Sequence, residues 1–289
     1  MATRRESTLL VVVAVTGWAF PGVFVRFMPH LGIGALVGLR MAIACVALAP
    51  VALSKRYRSS TASAVRSPRC WALAAIMLVY YLTATPAFYF APVGEVALLI
   101  ASAPLFAVLV RFAMRETVHR YEIGGALMAI CGVAIMAFPS FEQAKVGSQH
   151  WIGVVLSICA AMAAAFYAIG NRLLNASGSS PGPVPQVLLT FILGLVLLPV
   201  LGFEPRSHLQ SSSLAWAIPL GALSTALPTV AVAAAAHRIS AVVATLINPM
   251  CAVAASIVAA VMLHEKPTAW MLAGGTMVVL AIYVAIRPR

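Results

Sequence analysis

The sequence predicts an all-α integral membrane protein with ten transmembrane helices, built as two five-helix inverted-topology repeats. Three observations carry this reading. Hydrophobic residues make up 62% of the 289 and charged residues only 9%, against roughly half and a quarter in a soluble domain. The apolar residues fall in runs of about 20, the length that crosses a hydrocarbon core. The same order of proline, glutamate and glycine then recurs in each half of the chain.

The runs are continuous rather than alternating, which favours helices over a barrel. Helices also satisfy the demand that backbone polar groups pair within the segment when lipid surrounds it. The predicted spans are 8–27, 32–53, 70–90, 93–112, 120–138, 151–172, 184–202, 214–233, 239–262 and 268–286. The first run follows Arg4 and Arg5 as a signal peptide would, but Phe27 to Leu31 offers no small-residue cleavage site, so it reads as a retained span. The longer polar connections, Ser54–Arg69, Pro139–His150 and Phe203–Ser213, are too short for a soluble domain.

The net charge of +12 does not point to nucleic acid, because the cations are scattered through short loops with no basic helix or RNA-binding pattern. They serve orientation instead. With the N-terminus inside, inside segments hold 14 Lys and Arg and outside segments 4, with Arg40 left within the second span. This bias predicts two cytoplasmic termini, and the chain reads as a multi-pass protein of the bacterial inner membrane surrounded by lipids. The five cysteines lie in or beside apolar runs without a Cys-x-x-Cys pair, so no disulfide, metal or cofactor is expected.

The two halves, 1–140 and 141–289, align on scaffold features. Trp18-Ala-Phe-Pro-Gly-Val-Phe-Val-Arg26 lies against Ala164-Ala-Phe-Tyr-Ala-Ile-Gly-Asn-Arg172. Ala103-Pro104 lies against Asn248-Pro249, Arg115-Glu116 against His264-Glu265, and Gly124-Gly125 against Gly274-Gly275. Five spans per half is odd, so the second half enters the membrane from the opposite side, an architecture of secondary transporters.

These residues resemble the drug/metabolite transporter superfamily, in its EamA branch. The resemblance implies two five-helix repeats, each with a Pro in its fourth helix, a Glu after it and a Gly-rich fifth helix. It also implies a central cavity lined by spans 1, 3, 4, 6, 8 and 9. Within the branch, Glu95-Val-Ala-Leu-Leu-Ile-Ala-Ser-Ala-Pro104 is similar to the Glu-Val…Pro stretch of YddG-type exporters of aromatic and other amino acids. Ala101 and Ala103 stand where those exporters place aromatics, which argues against a narrowly aromatic range.

Several residues are candidates for substrate binding. Trp18 lies about ten residues into its span, away from the interface where Trp usually sits, and Tyr80 and Tyr81 are as deep. Each needs a partner for its N–H or O–H, which a wet cavity or a local carbonyl supplies. Glu95 and Ser102 share a helix face, and an acid there receives an ammonium or a proton, unless it is simply solvated at the surface. Arg40 is costly at its depth; a snorkelling stem or a tie to a backbone carbonyl are its structural readings. Asn248 sits beside a carbonyl freed by Pro249, and Thr225 and Thr229 flank Pro228. Phe166 and Tyr167 are the sixth-span aromatics. Pro104 and Pro249 are hinge candidates, and the glycine pairs are assigned to helix packing.

The reading that follows is a monomeric secondary exporter of small metabolites, amino acids first, with no catalytic residue. Multidrug or other metabolite transport (a sugar, nucleoside or cofactor precursor) is the alternative within the fold. A lipid-modifying intramembrane enzyme is remote, since it needs clustered acids or a metal pair.

Overall fold

A computed structural model describes residues 4–116, 120–144, 149–178, 180–199, 211–235 and 241–286. Every predicted span coincides with helix over its described residues. The first span is α1 (Arg4–Ala19) and α2 (Pro21–Arg26), the second α3 (Ile33–Ala52). A short α4 (Arg58–Arg66) precedes α5 (Pro68–Phe90), the third span. The fourth is α6 (Val93–Ala101) with α7 (Ala103–Ala113), the fifth α8 (Arg120–Ala144), the sixth α9 (His150–Ala176) and the seventh α10 (Pro183–Leu197). The eighth is α11 (Ser211–Gly221), a π-helical turn over Ala222–Ala226, and α12 (Leu227–Ala235). The ninth and tenth are α13 (Ala241–Met262) and α14 (Ala269–Ile286). Among the described residues, six spans are long and apolar enough to cross a membrane by themselves. The outward faces are apolar: Val46 is 74% exposed and Val261 68%. In water such a surface would aggregate; in lipid it is the expected exterior.

The proline positions explain the breaks. Pro21 opens α2 after Phe20, and Pro104 sits in the first turn of α7, where its missing N–H costs nothing. The fourth span therefore bends at Ser102, two residues before the predicted hinge. Pro249 lies inside α13, and its side chain is outside the described residues. The polar stretch Ser54–Arg69 is not a plain loop. It contains α4, held down by the Thr61 hydroxyl on the Ala52 carbonyl at 2.9 Å and by the Trp71 indole N–H on the Val65 carbonyl at 2.8 Å.

The helices do not pack as two separate bundles. Equivalent spans pair across the halves in the largest interface, α8 with α14, and again in α6 with α13 and α3 with α10. The first span lies on the eighth (α1 with α12), and correspondingly the sixth on the third (α9 with α5). Close approach of α8 and α14 depends on Gly132 and Gly274, where a Cβ at 274 would fall 2.5 Å from the Gly132 carbonyl oxygen. Gly124, predicted to serve packing, instead faces open space: a Cβ there would meet nothing within 4 Å. Its helix face turns away from α14, so its register and not its type decides.

The pair makes a controlled test. Gly274→Ala should lower the melting temperature of the purified protein, by overpacking worth about 1–3 kcal/mol. Gly124→Ala should leave it equal or slightly higher, since Ala is the better helix former by roughly 1 kcal/mol.

Candidate functional site

The turn after each fourth span has the same unusual backbone. Arg115 and His264 adopt positive φ, 58° and 54°, the two non-glycine residues to do so among those described. A left-handed residue ends a helix and redirects the chain. Here each is followed by a glutamate, and each turn throws that glutamate across to the other half. Glu116 receives Arg172 at 2.6 and 2.9 Å and Arg111 at 3.0 Å. Glu265 accepts the Val93 backbone N–H at 2.9 Å, at the N-terminus of α6, and stands 4.0 Å from Arg26. Arg26 in turn donates to the Ala91 carbonyl at 2.8 Å. The hairpin between the third and fourth spans is thus gripped by an arginine on its carbonyls and a glutamate on its N–H groups. The first clamp lies on the N-terminal face of the protein and the second on the opposite face.

The two carboxylates differ in state. Arg172, then Arg111, hold the Glu116 carboxyl below the usual range. Burial pushes that of Glu265 up, against the pull of Arg26 and of the Val93 and Gly94 N–H groups. Lowering the pH therefore neutralises Glu265 first, while Glu116 stays ionised through the ordinary carboxylate range.

Between the clamps lies a polar and aromatic cluster, roughly 10–15 Å in from the opposite-face ends of its helices. Arg40 of α3 is 5% exposed. Its Nε donates to the Thr225 hydroxyl at 3.1 Å and its Nη1 to the Thr85 hydroxyl at 2.7 Å. Its guanidinium stands 4.9 Å over the Tyr81 ring, and Tyr81 packs edge-on to Tyr80 and against Phe191. The expected tie to a backbone carbonyl is thus replaced by two hydroxyls and a ring face. Thr225 reaches Arg40 because the π-helical turn shifts its register, and its own hydroxyl donates to the Leu220 carbonyl at 2.9 Å. Such turns recur at functional sites.

Trp18 is half-buried, and it and Cys251 pack on the patch made by Val11, Val15 and Ala235. Cys251 also lies within electrostatic range of Tyr80. Tyr81 belongs to it as fully as Tyr80, although their positions on the helix argue for different directions. Tyr167 of α9 approaches Tyr81, whereas its neighbour Phe166 is 45% exposed. Thr229 donates to its own helix at Thr225 O, 2.7 Å away, and Ser102 likewise to Leu99 O at 2.6 Å. Glu95 is not solvated: it is buried and 2.9 Å from His150 Nε2, with its Oε1 lacking a partner. The Asn248 side chain lies outside the described residues. Sequence reasoning passed over Thr85 and Cys251; a Thr before Pro86 in a span, facing a buried arginine, was the available signal.

A groove of about 490 Å³ also opens between α6, α13 and α14, lined by Leu98, Ser256, Ile257 and Leu272 beneath Glu265 and Lys266. Ile257 and Leu272 are 59% and 56% exposed on the lipid side, and no residue of the Arg40 cluster lines it. Its lining is mainly apolar, whereas a polar solute needs polar partners of the kind found in the Arg40 cluster.

The model of the EamA-like transporter family matches residues 6–138 and again residues 151–287. The chain belongs to this family. It is a multi-pass membrane protein with two EamA repeats, a secondary metabolite transporter and not an enzyme. It is similar in fold to a protein of known crystal structure, at a TM-score of 0.59 and 18% identity over 98% of each chain. No curated protein matches it.

The opposed carboxylates of this EamA-like transporter give a test with opposite signs. Glu265→Gln should leave the melting temperature at pH 7 equal or higher, because it removes a partly desolvated charge while keeping an acceptor for Val93. Glu116→Gln should lower it. In the wild type, stability should rise as pH falls from the raised Glu265 value to the ordinary carboxylate value, and fall as pH drops further from there to the depressed Glu116 value, readable in a melting series.

Proposed function

We propose that this protein exports small metabolites, amino acids first, from the cytoplasm of a bacterial cell by alternating access, as a monomer with both termini cytoplasmic. The observation that supports it best is the placement of the deep polar and aromatic cluster between two cross-half clamps on opposite faces. A solute held at Trp18, Tyr80, Tyr81 and Thr225 is sealed from one side by Glu116–Arg172 and from the other by Arg26–Glu265. Releasing one clamp while the other holds exposes the site to a single side. The bend at Pro104, and Pro249 in the ninth span, supply the hinges between the repeat of residues 1–140 and that of 141–289.

The cluster also speaks for the cargo. Tyr80 and Trp18 are half-buried, and neither the Tyr80 hydroxyl nor the Trp18 indole N–H has a protein partner among the described residues or is sealed from solvent-sized space. Aromatic faces with free donors suit an amino acid, whose side chain is apolar and whose head is polar. Glu95 with His150, and Ser102 below it, lie nearer the outside face on the exit path, where Glu95 receives an ammonium or proton.

Reconstitution in proteoliposomes tests the reading: labelled amino acids should move, and competition by unrelated metabolites should be weak. No movement of any amino acid would falsify the cargo assignment. Trp18→Ala and Tyr80→Ala should each cut transport about tenfold or more with the melting temperature held within a few degrees, since a lost ring contact of about 1–2 kcal/mol acts at the site. A cysteine at Ser60 in a cysteine-free background should react with a membrane-impermeant maleimide only from the cytoplasmic side; labelling from outside inverts the topology.

A further inference from the structure

We propose that Arg40 is the anchor for a carboxylate on the transported solute. This rests on the carrier reading above and deepens it. A guanidinium stays charged at any physiological pH and presents five N–H donors. Two of these are used, by Thr225 and Thr85, and both partners are neutral. The chain has seven acidic residues, and none of the four whose side chains are described, Glu95, Glu116, Glu122 and Glu265, pairs with Arg40. Its Nη2 has no protein partner among the described residues and is not sealed from solvent-sized space, and the same holds for the hydroxyls of Tyr80 and Tyr81. A cation at this depth without a counter-charge is held at a cost of a few kcal/mol.

The fold does not need that charge. The equivalent helix of the second half, α10, carries no charged residue, and its buried polar positions are Gln186 and Thr190. Gln186 is tied by its amide to the Cys70 carbonyl at 2.8 Å, and Thr190 to its own helix. The surroundings of Arg40 are arranged to aim it. Thr225 is delivered by a π-helical turn and donates its own proton to Leu220, leaving lone pairs for Nε. The Tyr81 ring closes one face of the guanidinium. The free edge carries the remaining N–H groups, which match the two oxygens of a carboxylate. One fixed positive charge balances one carboxylate, so the solute is a zwitterionic amino acid or a monocarboxylic acid.

The test uses the full-length protein and compares an amino acid with its amide and with the amine lacking the carboxyl, by thermal stabilisation of the purified protein and by competition for uptake in proteoliposomes. The acid should stabilise and compete at least tenfold more strongly than either analogue. Arg40→Lys, which keeps the charge but not the fork, should raise KM about tenfold while retaining the preference. Arg40→Gln should abolish the preference. Equal action of acid, amide and amine on the wild type overturns the proposal, as does absence of stabilisation by any carboxylate, and neither depends on the variants folding. If 2-oxo acids act and amino acids do not, Arg40 stands and the amino-acid reading falls. If only neutral or cationic solutes move, the carrier stands and Arg40 falls.

Discussion

Hydrocarbon offers no hydrogen bonds, so every polar group within the slab must find a partner in the protein or in a cavity. Most of the molecule obeys the first option. Thr83, Thr190 and Thr229 return their hydroxyls to the preceding turn, as do Ser157 and Ser256. These residues add polarity to the sequence without adding a site. Once they are set aside, the described groups without a protein partner include the Arg40 Nη2, the hydroxyls of Tyr80 and Tyr81 and the Trp18 indole N–H, together with the buried Arg26 Nε, Glu95 Oε1, Gln186 Oε1 and Ser224 Oγ. Arg40, Tyr81 and Tyr80 meet in one place, where a guanidinium lies over one ring and the second ring packs edge-on to the first.

The second constraint is topological. An odd number of spans per half turns each repeat over, so one motif, a left-handed residue followed by glutamate, appears once on each face. Because equivalent spans pack against each other across the halves, each glutamate lands on the other half's first helix. Arg26 and Arg172, aligned in sequence, therefore meet Glu265 and Glu116, also aligned in sequence. The two contacts are equivalent in plan and unequal in strength. Both carboxylates are half-buried, but one has two arginines, whereas the other is shared with backbone N–H groups and raised towards neutrality. On the alternating-access reading proposed above, one firm clamp and one loose clamp bias the protein towards opening on one face.

The sequence carries the scaffold well because scaffold signals are local. Span length, charge bias and the Pro, Glu and Gly order each require only a short window. Trp18 and Tyr80 could also be picked out, because depth in a span is read by counting. What could not be read is which groups meet. Arg40 joins Thr85 across 45 residues and Thr225 across 185. The π-helical turn that brings Thr225 into reach has no compositional mark beyond Pro219 and Pro228 on either side. Tyr81 lies under Arg40 while Tyr80, its neighbour in sequence, packs edge-on against it, an arrangement that counting along the helix does not reveal. Gly124 failed as a packing signal for the reverse reason: small residues permit close approach, and only the facing helix decides whether it happens.

The symmetry of the scaffold and the asymmetry of the site then have a common logic. Alternating access needs two equivalent ways to close, and an inverted repeat provides them by duplication. Binding needs one orientation of one solute, and a site repeated twice would hold it in two. On the Arg40 proposal, a charge on α3 and none on α10 resolves this, since the solute's anionic end then has a single direction to face whichever clamp is open. On the same proposal, the cost of an uncompensated cation is borne only while the site is empty, and an entering carboxylate would supply the counter-charge that the described protein groups do not.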